Sequence, residues 1–257
     1  MKRFIPLLLL LLPFVANADS LYFPYQPSLS PDGKTIYFSY DGDIFKVPSE
    51  GGIAMRFISL GATEIEPKVS PDGKWIAFSS DIQGNYDVYI VPTAGGNIKR
   101  LTWHEANDYV SEWSSDSKNI YFETNRANTR TTYKVSLDGG TPIRLFDNYF
   151  NTITNVVENP KSGEIYFNES GESFNFPTRK RYVGDHNPNI KSWNPATSEY
   201  KELTDYIGKD TWPMVDKEGN LYYVTDQFNQ ESNIAKYTPN GKAEQLTSFE
   251  HSLQYPS

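Results

Sequence analysis

The chain has 257 residues and no cysteine. That excludes disulfides, a zinc-type cysteine cluster and a lipid anchor through an N-terminal Cys. Basic charge is also short, with 24 Lys and Arg against 32 Asp and Glu and a net charge of −8. Nucleic-acid binding needs a basic stripe to displace counterions, so that class is excluded. Histidine is scarce: His104, His186 and His251 all fall in loops or in connections between repeats. Nucleophilic catalysis needs a displayed Ser, a base and an orienting group, and no Gly-x-Ser-x-Gly elbow occurs. No catalytic residue, metal or cofactor is therefore expected. Asp41-Gly42-Asp43 and the pair Asp81 and Asp87 lack the spacing of a twelve-residue calcium loop and read as hairpin-turn residues. Long hydrophobic runs are absent beyond Phe4–Val15, which is too short to span a membrane. Lys2-Arg3 precedes that run and Ala16-Asn17-Ala18 follows it. Residues 1–18 thus read as a cleavable signal peptide, giving a periplasmic or secreted chain that begins at Asp19.

What is present is a repeat. Ser-Pro-Asp-Gly-Lys occurs at Ser30–Lys34 and at Ser70–Lys74, followed by Thr35-Ile36-Tyr37-Phe38 and Trp75-Ile76-Ala77-Phe78. Degenerate copies lead into Ile120-Tyr121-Phe122, Ile165-Tyr166-Phe167 and Leu221-Tyr222-Tyr223. In the turn, Pro presets φ, Asp bonds back to the backbone and Gly accepts φ > 0. The run after it is β-branched and aromatic, as a packed strand requires. A second strand ends in small-residue turns such as Gly51-Gly52, Gly95-Gly96 and Gly139-Gly140, and a third ends in Leu101-Thr102, Leu203-Thr204 or Leu246-Thr247. With the strand before the first turn, each unit carries four strands over about 40–45 residues, the pattern of β-propeller blades. The alternative, a β-sandwich, has no reason to repeat one turn at one place in every unit.

The fold expected is all-β: a propeller over residues 19–257 with blades near 21–61, 62–105, 106–149, 150–206 and 207–250. Tyr255-Pro256 repeats the position of Glu66-Pro67 and Trp212-Pro213, which predicts the first strand of a sixth blade from residue 251. The chain then reads as a fragment of a six-bladed propeller, whose open edge would favour association. The rival is a closed five-bladed ring with residues 250–257 as a tail.

Two features point towards function. Glu64, Asp108 and Asp210 share the position six residues before the turn of their blades, which would set three carboxylates at one mouth of the central channel. Blade one has Pro24 there and blade four has Ile153, so the ring is incomplete, and acids that solubilise connecting loops would look the same. Blade four is the longest, and its excess near residues 171–189 carries Arg179, Lys180 and Arg181, a basic loop suited to peptide carboxylates or a neighbouring domain.

With the repeats laid out, the chain resembles the propeller family shared by TolB, the tricorn protease and prolyl-oligopeptidase relatives. The likeness is carried by Ser70–Phe78, Asp87–Pro92 and Gly95–Thr102 and covers essentially the whole mature chain. Thr178–Asp185 and Glu202–Pro213 resemble the N-terminal propeller of secreted tricorn-like serine peptidases. That resemblance implies a gating and peptide-binding domain for unfolded peptides. It also implies a longer protein with a second propeller, a PDZ module and a peptidase domain holding the catalytic residues, none of which lie here. A TolB-like interaction protein without catalysis and the accessory propeller of a secreted amidohydrolase are the alternatives. Blade one follows the signal peptide directly, where TolB-like chains carry a separate α/β domain.

Overall fold

A computed structural model describes residues 24–127, 129–146, 152–169, 182–184 and 186–251. The residues 1–18 read as a signal peptide, the basic residues Arg179, Lys180 and Arg181, and Tyr255-Pro256 lie outside the described residues.

Every described element is a strand, and among the described residues no helix is long and apolar enough to cross a membrane. Blade one is β1 (Tyr25–Leu29), β2 (Thr35–Tyr40), β3 (Asp43–Pro48) and β4 (Met55–Ile58). Blade two is β5 (Glu64–Val69), β6 (Trp75–Ser80), β7 (Asp87–Pro92) and β8 (Lys99–Arg100). Blade three is β9 (Asp108–Trp113), β10 (Asn119–Thr124), β11 (Thr131–Ser136) and β12 (Ile143–Arg144). Blade four is β13 (Thr154–Glu158), β14 (Ile165–Asn168), β15 (Ile190–Asn194) and β16 (Glu199–Glu202). Blade five is β17 (Asp210–Val215), β18 (Leu221–Thr225), β19 (Asn233–Tyr237) and β20 (Ala243–Gln245). Each blade is an antiparallel sheet in sequence order, giving a five-bladed propeller of four-stranded blades. The expected strand of a sixth blade is not among the described residues, which form five sheets.

The repeated turn works as its chemistry requires. In blade two, Ser70 Oγ donates to Asp72 Oδ1 at 2.7 Å, the Lys74 amide donates to the same oxygen at 3.1 Å, and the Trp75 amide donates to Ser70 Oγ at 3.0 Å. Gly73 takes φ 72°, a region closed to most side chains. Blade one repeats this with Ser30 and Asp32, and blade three with Ser114 and Asp116. Asp72→Ala is therefore expected to lower stability by roughly 1 kcal/mol, while Asp72→Asn, which keeps an acceptor oxygen, loses less. Urea unfolding of the two variants checks this; equal losses would detach the turn from its hydrogen bonds.

The Leu-Thr pairs also acquire a reason. Thr102 Oγ1 accepts from the Val88 amide, Thr204 Oγ1 from Ile190 and Thr247 Oγ1 from Ile234, at 2.9–3.0 Å, so each hydroxyl caps the start of a third strand. Apolar side chains fill the spaces between blades. Ile76, Phe78 and Tyr89 pack with Tyr37 and Ile44 between blades one and two. Ile120 and Phe122 pack with Ala77 and Ile90 between blades two and three. Phe146 and Phe167 fill the next interface, and Tyr223 with Tyr166 and Ile190 the last. At the two ends of the array, Lys217 Nζ of blade five donates to the Pro31 carbonyl of blade one at 2.9 Å.

Candidate functional site

The innermost strands β1, β5, β9, β13 and β17 wall the central lumen, and each carries a bulge near its middle. The bulge turns Gln26, Glu66, Asn155 and Trp212 to positive φ of 47–57°, a strained setting for side chains other than Asn. Freed from the ladder, the bulge N–H groups are satisfied across the blade boundary. The Glu66 amide donates to Gln26 Oε1 at 3.0 Å, Val110 to Ser79 Oγ at 2.8 Å, Asn155 to Glu123 Oε1 at 2.8 Å and Trp212 to Asn168 Oδ1 at 3.1 Å. The same layer of polar side chains thus joins the blades.

Charge gathers at blades two and three. Ser79 Oγ donates to Glu66 Oε2 at 3.1 Å. Arg130 Nε holds Glu123 Oε2 at 2.9 Å, and its guanidinium lies 4.7 Å from the Tyr109 ring centroid. Tyr109 in turn packs on Tyr86, with ring centroids 5.1 Å apart. Burial pushes the Glu66 carboxyl up to about 7; Arg130 opposes the rise, Glu123 adds to it, and Ser79 and Lys68 oppose it. Burial likewise raises the Tyr25, Tyr86 and Tyr109 phenols. The arrangement can hold or release a proton near neutral pH and present a guanidinium and phenols to a passing chain. It contains no activated nucleophile. Among the described residues, no three of His, Cys, Asp and Glu meet where they could hold a metal ion.

The three carboxylates expected at the mouth occupy equivalent strand starts but are closed off. Glu64 is 0% exposed and accepts from the Leu60 amide at 3.1 Å and Ser80 Oγ at 3.3 Å; burial raises its pKa. Asp108 is 0% exposed against Arg126 Nη2 at 2.5 Å. Asp210 is 1% exposed, and burial pushes it up to about 6 against the nearby Thr225 and Thr204 hydroxyls. All three sit inside the blade junctions, with almost no surface to show a passing peptide. Glu66, Glu123, Arg130 and Tyr109 were not singled out by the sequence. Their one signal is register: Glu66 precedes Pro67, as Trp212 precedes Pro213 and Gln26 precedes Pro27, and that Pro marks the bulge.

Residues 23–255 match the family described as the tricorn protease N-terminal beta propeller domain, and the chain belongs to that family. No curated protein matches it in sequence. Among solved structures, it is similar to a putative TolB from Agrobacterium tumefaciens at 21% identity and a TM-score of 0.71, over 88% of this chain and 80% of that one. TolB from Acinetobacter baumannii aligns at 20% identity and a TM-score of 0.62, over 86% of this chain and 53% of that one. The tricorn protease aligns at 20% identity and a TM-score of 0.71, over 88% of this chain but 22% of that one. At such identities the likeness to solved structures is one of fold.

Proposed function

We propose that this chain is the substrate-gating, peptide-binding propeller of a secreted tricorn-like serine peptidase that degrades unfolded peptides, the chemistry residing in other domains of a longer protein. The observation that carries the reading is the lumen cluster of Glu66, Glu123, Arg130 and Tyr109. The Arg130 guanidinium, the half-buried Glu66 carboxyl and the Tyr86 and Tyr109 phenols can engage the charges and carbonyls of an extended chain without reading its sequence. In the same reading, residues 1–18 direct export, and Arg179, Lys180 and Arg181 contact peptide carboxylates or a neighbouring domain. A sixth blade starting near Tyr255-Pro256 would cover the face of blade one that turns away from blade two. That face carries Ile36, Phe38, Phe45 and Val47, with Leu29 beside them 48% exposed.

The test is hydrolysis of unfolded peptides by the natural full-length protein. Turnover is expected to be lost on treatment with a serine-reactive organophosphonate, and this chain alone is expected to have none. Activity that survives the reagent but not a chelator would favour an amidohydrolase. No hydrolysis, with binding to an envelope protein, would favour a TolB-like interaction propeller, the reading supported by the 80% coverage of the Agrobacterium chain.

A further inference from the structure

Blades one to three share an aromatic pair that blades four and five lack. In blades one to three, the central Phe of the second strand stands opposite an aromatic residue on the third, and the rings pack together. Phe38 meets Phe45 at 6.0 Å, Phe78 meets Tyr89 at 5.7 Å and Phe122 meets Tyr133 at 6.0 Å. Blade five has Ala235 opposite Tyr223, with Phe228 and Tyr237 packed into that cluster. Blade four keeps Phe167 but sets Lys191 opposite it, and Lys191 Nζ turns aside to Glu169 at 2.7 Å.

A cavity of about 760 Å³ lies there, walled by Phe167, Trp193, Tyr200, Leu145 and Ile153. Trp193 stands opposite Ile165, the register position at which blades one to three place Val47, Val91 and Val135. Phe146 packs on Phe167 at 4.9 Å and on Trp193 at 5.2 Å, and Trp193 with Tyr200 continues the aromatic wall beside them. The Trp193 and Tyr200 rings lie 6.1 Å apart with planes 25° apart, and Phe167 meets Tyr200 edge-on at 6.3 Å. A ring entering this space finds both stacked and edge contacts. Among the described residues of the lining, Lys191 and Lys201 balance Glu169 and Glu202, so an aromatic ring rather than a charge is what these residues select. Beside the cavity runs β16, the outermost strand of its sheet, exposed along its whole length. An unpaired strand edge of this kind accepts an extended chain by backbone hydrogen bonding.

We propose that this groove on blades three and four binds the aromatic side chain of an extended peptide segment, the guest ring packing against Trp193 and Tyr200. The site is separate from the lumen, and its failure would leave the gating proposal untouched.

The test is isothermal titration of this chain with acetyl-Gly-Ala-Phe-Ala-Gly-amide and with the same peptide carrying Ala at its centre. The Phe peptide is expected to bind at least tenfold more tightly. Lys191→Tyr supplies the ring that blades one to three carry and fills the cavity; it is expected to melt no lower than the parent chain and to weaken binding at least tenfold. Lys118→Ala, which breaks an exposed ion pair with Asp116 outside the groove, should keep affinity within about threefold of the parent. Should Lys191→Tyr fail to fold, Trp193→Val, the residue of blades one to three, removes the wall instead and should weaken binding to the same degree. Equal binding of the two peptides, unchanged binding by the plugged variant, or no heat at millimolar peptide would each overturn the proposal.

Discussion

Replacing Arg126 with Met is expected to destabilise the chain by about 3–5 kcal/mol, the cost of leaving a buried charge unpaired. Asp108 is fully buried at the head of β9, and its carboxylate meets Arg126 Nη2 at 2.5 Å. The guanidinium lies 5.2 Å from the Phe122 ring and 5.1 Å from that of Tyr133, so it is held on aromatic faces as well as by charge. Methionine reproduces the length of the stem but offers no donor. Asp108 then either keeps a charge in an apolar setting or takes up a proton, and both routes cost stability. Asp108→Asn combined with Arg126→Met is expected to recover most of the loss, because no ion remains to be desolvated. Urea unfolding of the single and double variants reads the difference directly. A single-variant loss below about 1 kcal/mol, or a double variant as weak as the single, would show that the pair does not act as argued.

The propeller could be read from the sequence because its determinants are local. A Ser-Pro-Asp-Gly-Lys turn satisfies its own backbone through Ser70 and Asp72 within five residues, and the apolar run after it is buried along nearly its whole length, as a strand packed on both faces requires. The site could not be read the same way. Glu64 and Glu66 lie two residues apart on one strand, yet Glu64 is fully buried and accepts from Leu60 and Ser80, whereas Glu66 is half-buried and accepts from Ser79. What separates them from a plain alternation is the bulge between Ile65 and Lys68, with Glu66 at φ 57°. Spacing back from the turn finds the start of the strand but not the direction of a side chain beyond an inserted residue. Arg130 is harder still. It precedes β11 and reaches Glu123 of β10 and Tyr109 of β9, a meeting that only the closed hairpin produces. The aromatic cavity occupies a middle ground: Lys191 interrupts the aromatic column, but the interruption appears only once strands of unequal connection length are set in register.

Replacing Glu66 with Gln is expected to flatten the pH dependence of stability between about pH 4.5 and 7. In the unfolded chain the carboxyl titrates near its ordinary 4.5, whereas in the fold burial holds it up near 7. Between those values the folded chain keeps a proton that the unfolded chain has released. Stability therefore falls as pH rises through this window and levels off above the folded pKa. Arg130 and Lys68 favour the ionised form and Glu123 opposes it, but burial outweighs them. The raised value corresponds to roughly 1–3 kcal/mol once water in the lumen is allowed for. Gln fits the same space and still offers an acceptor oxygen to Ser79, yet it has no proton to lose. The two proteins should therefore be closely matched at pH 4 and diverge in favour of the Gln variant by pH 8, as measured by urea unfolding across the range. Parallel pH profiles would show that Glu66 titrates as an ordinary solvated carboxyl. Divergence would mean that the lumen gains one negative charge as pH rises past 7, beside the guanidinium of Arg130. Acidic peptides should then enter less readily in alkaline than in mildly acidic medium, and the Gln variant should show no such preference.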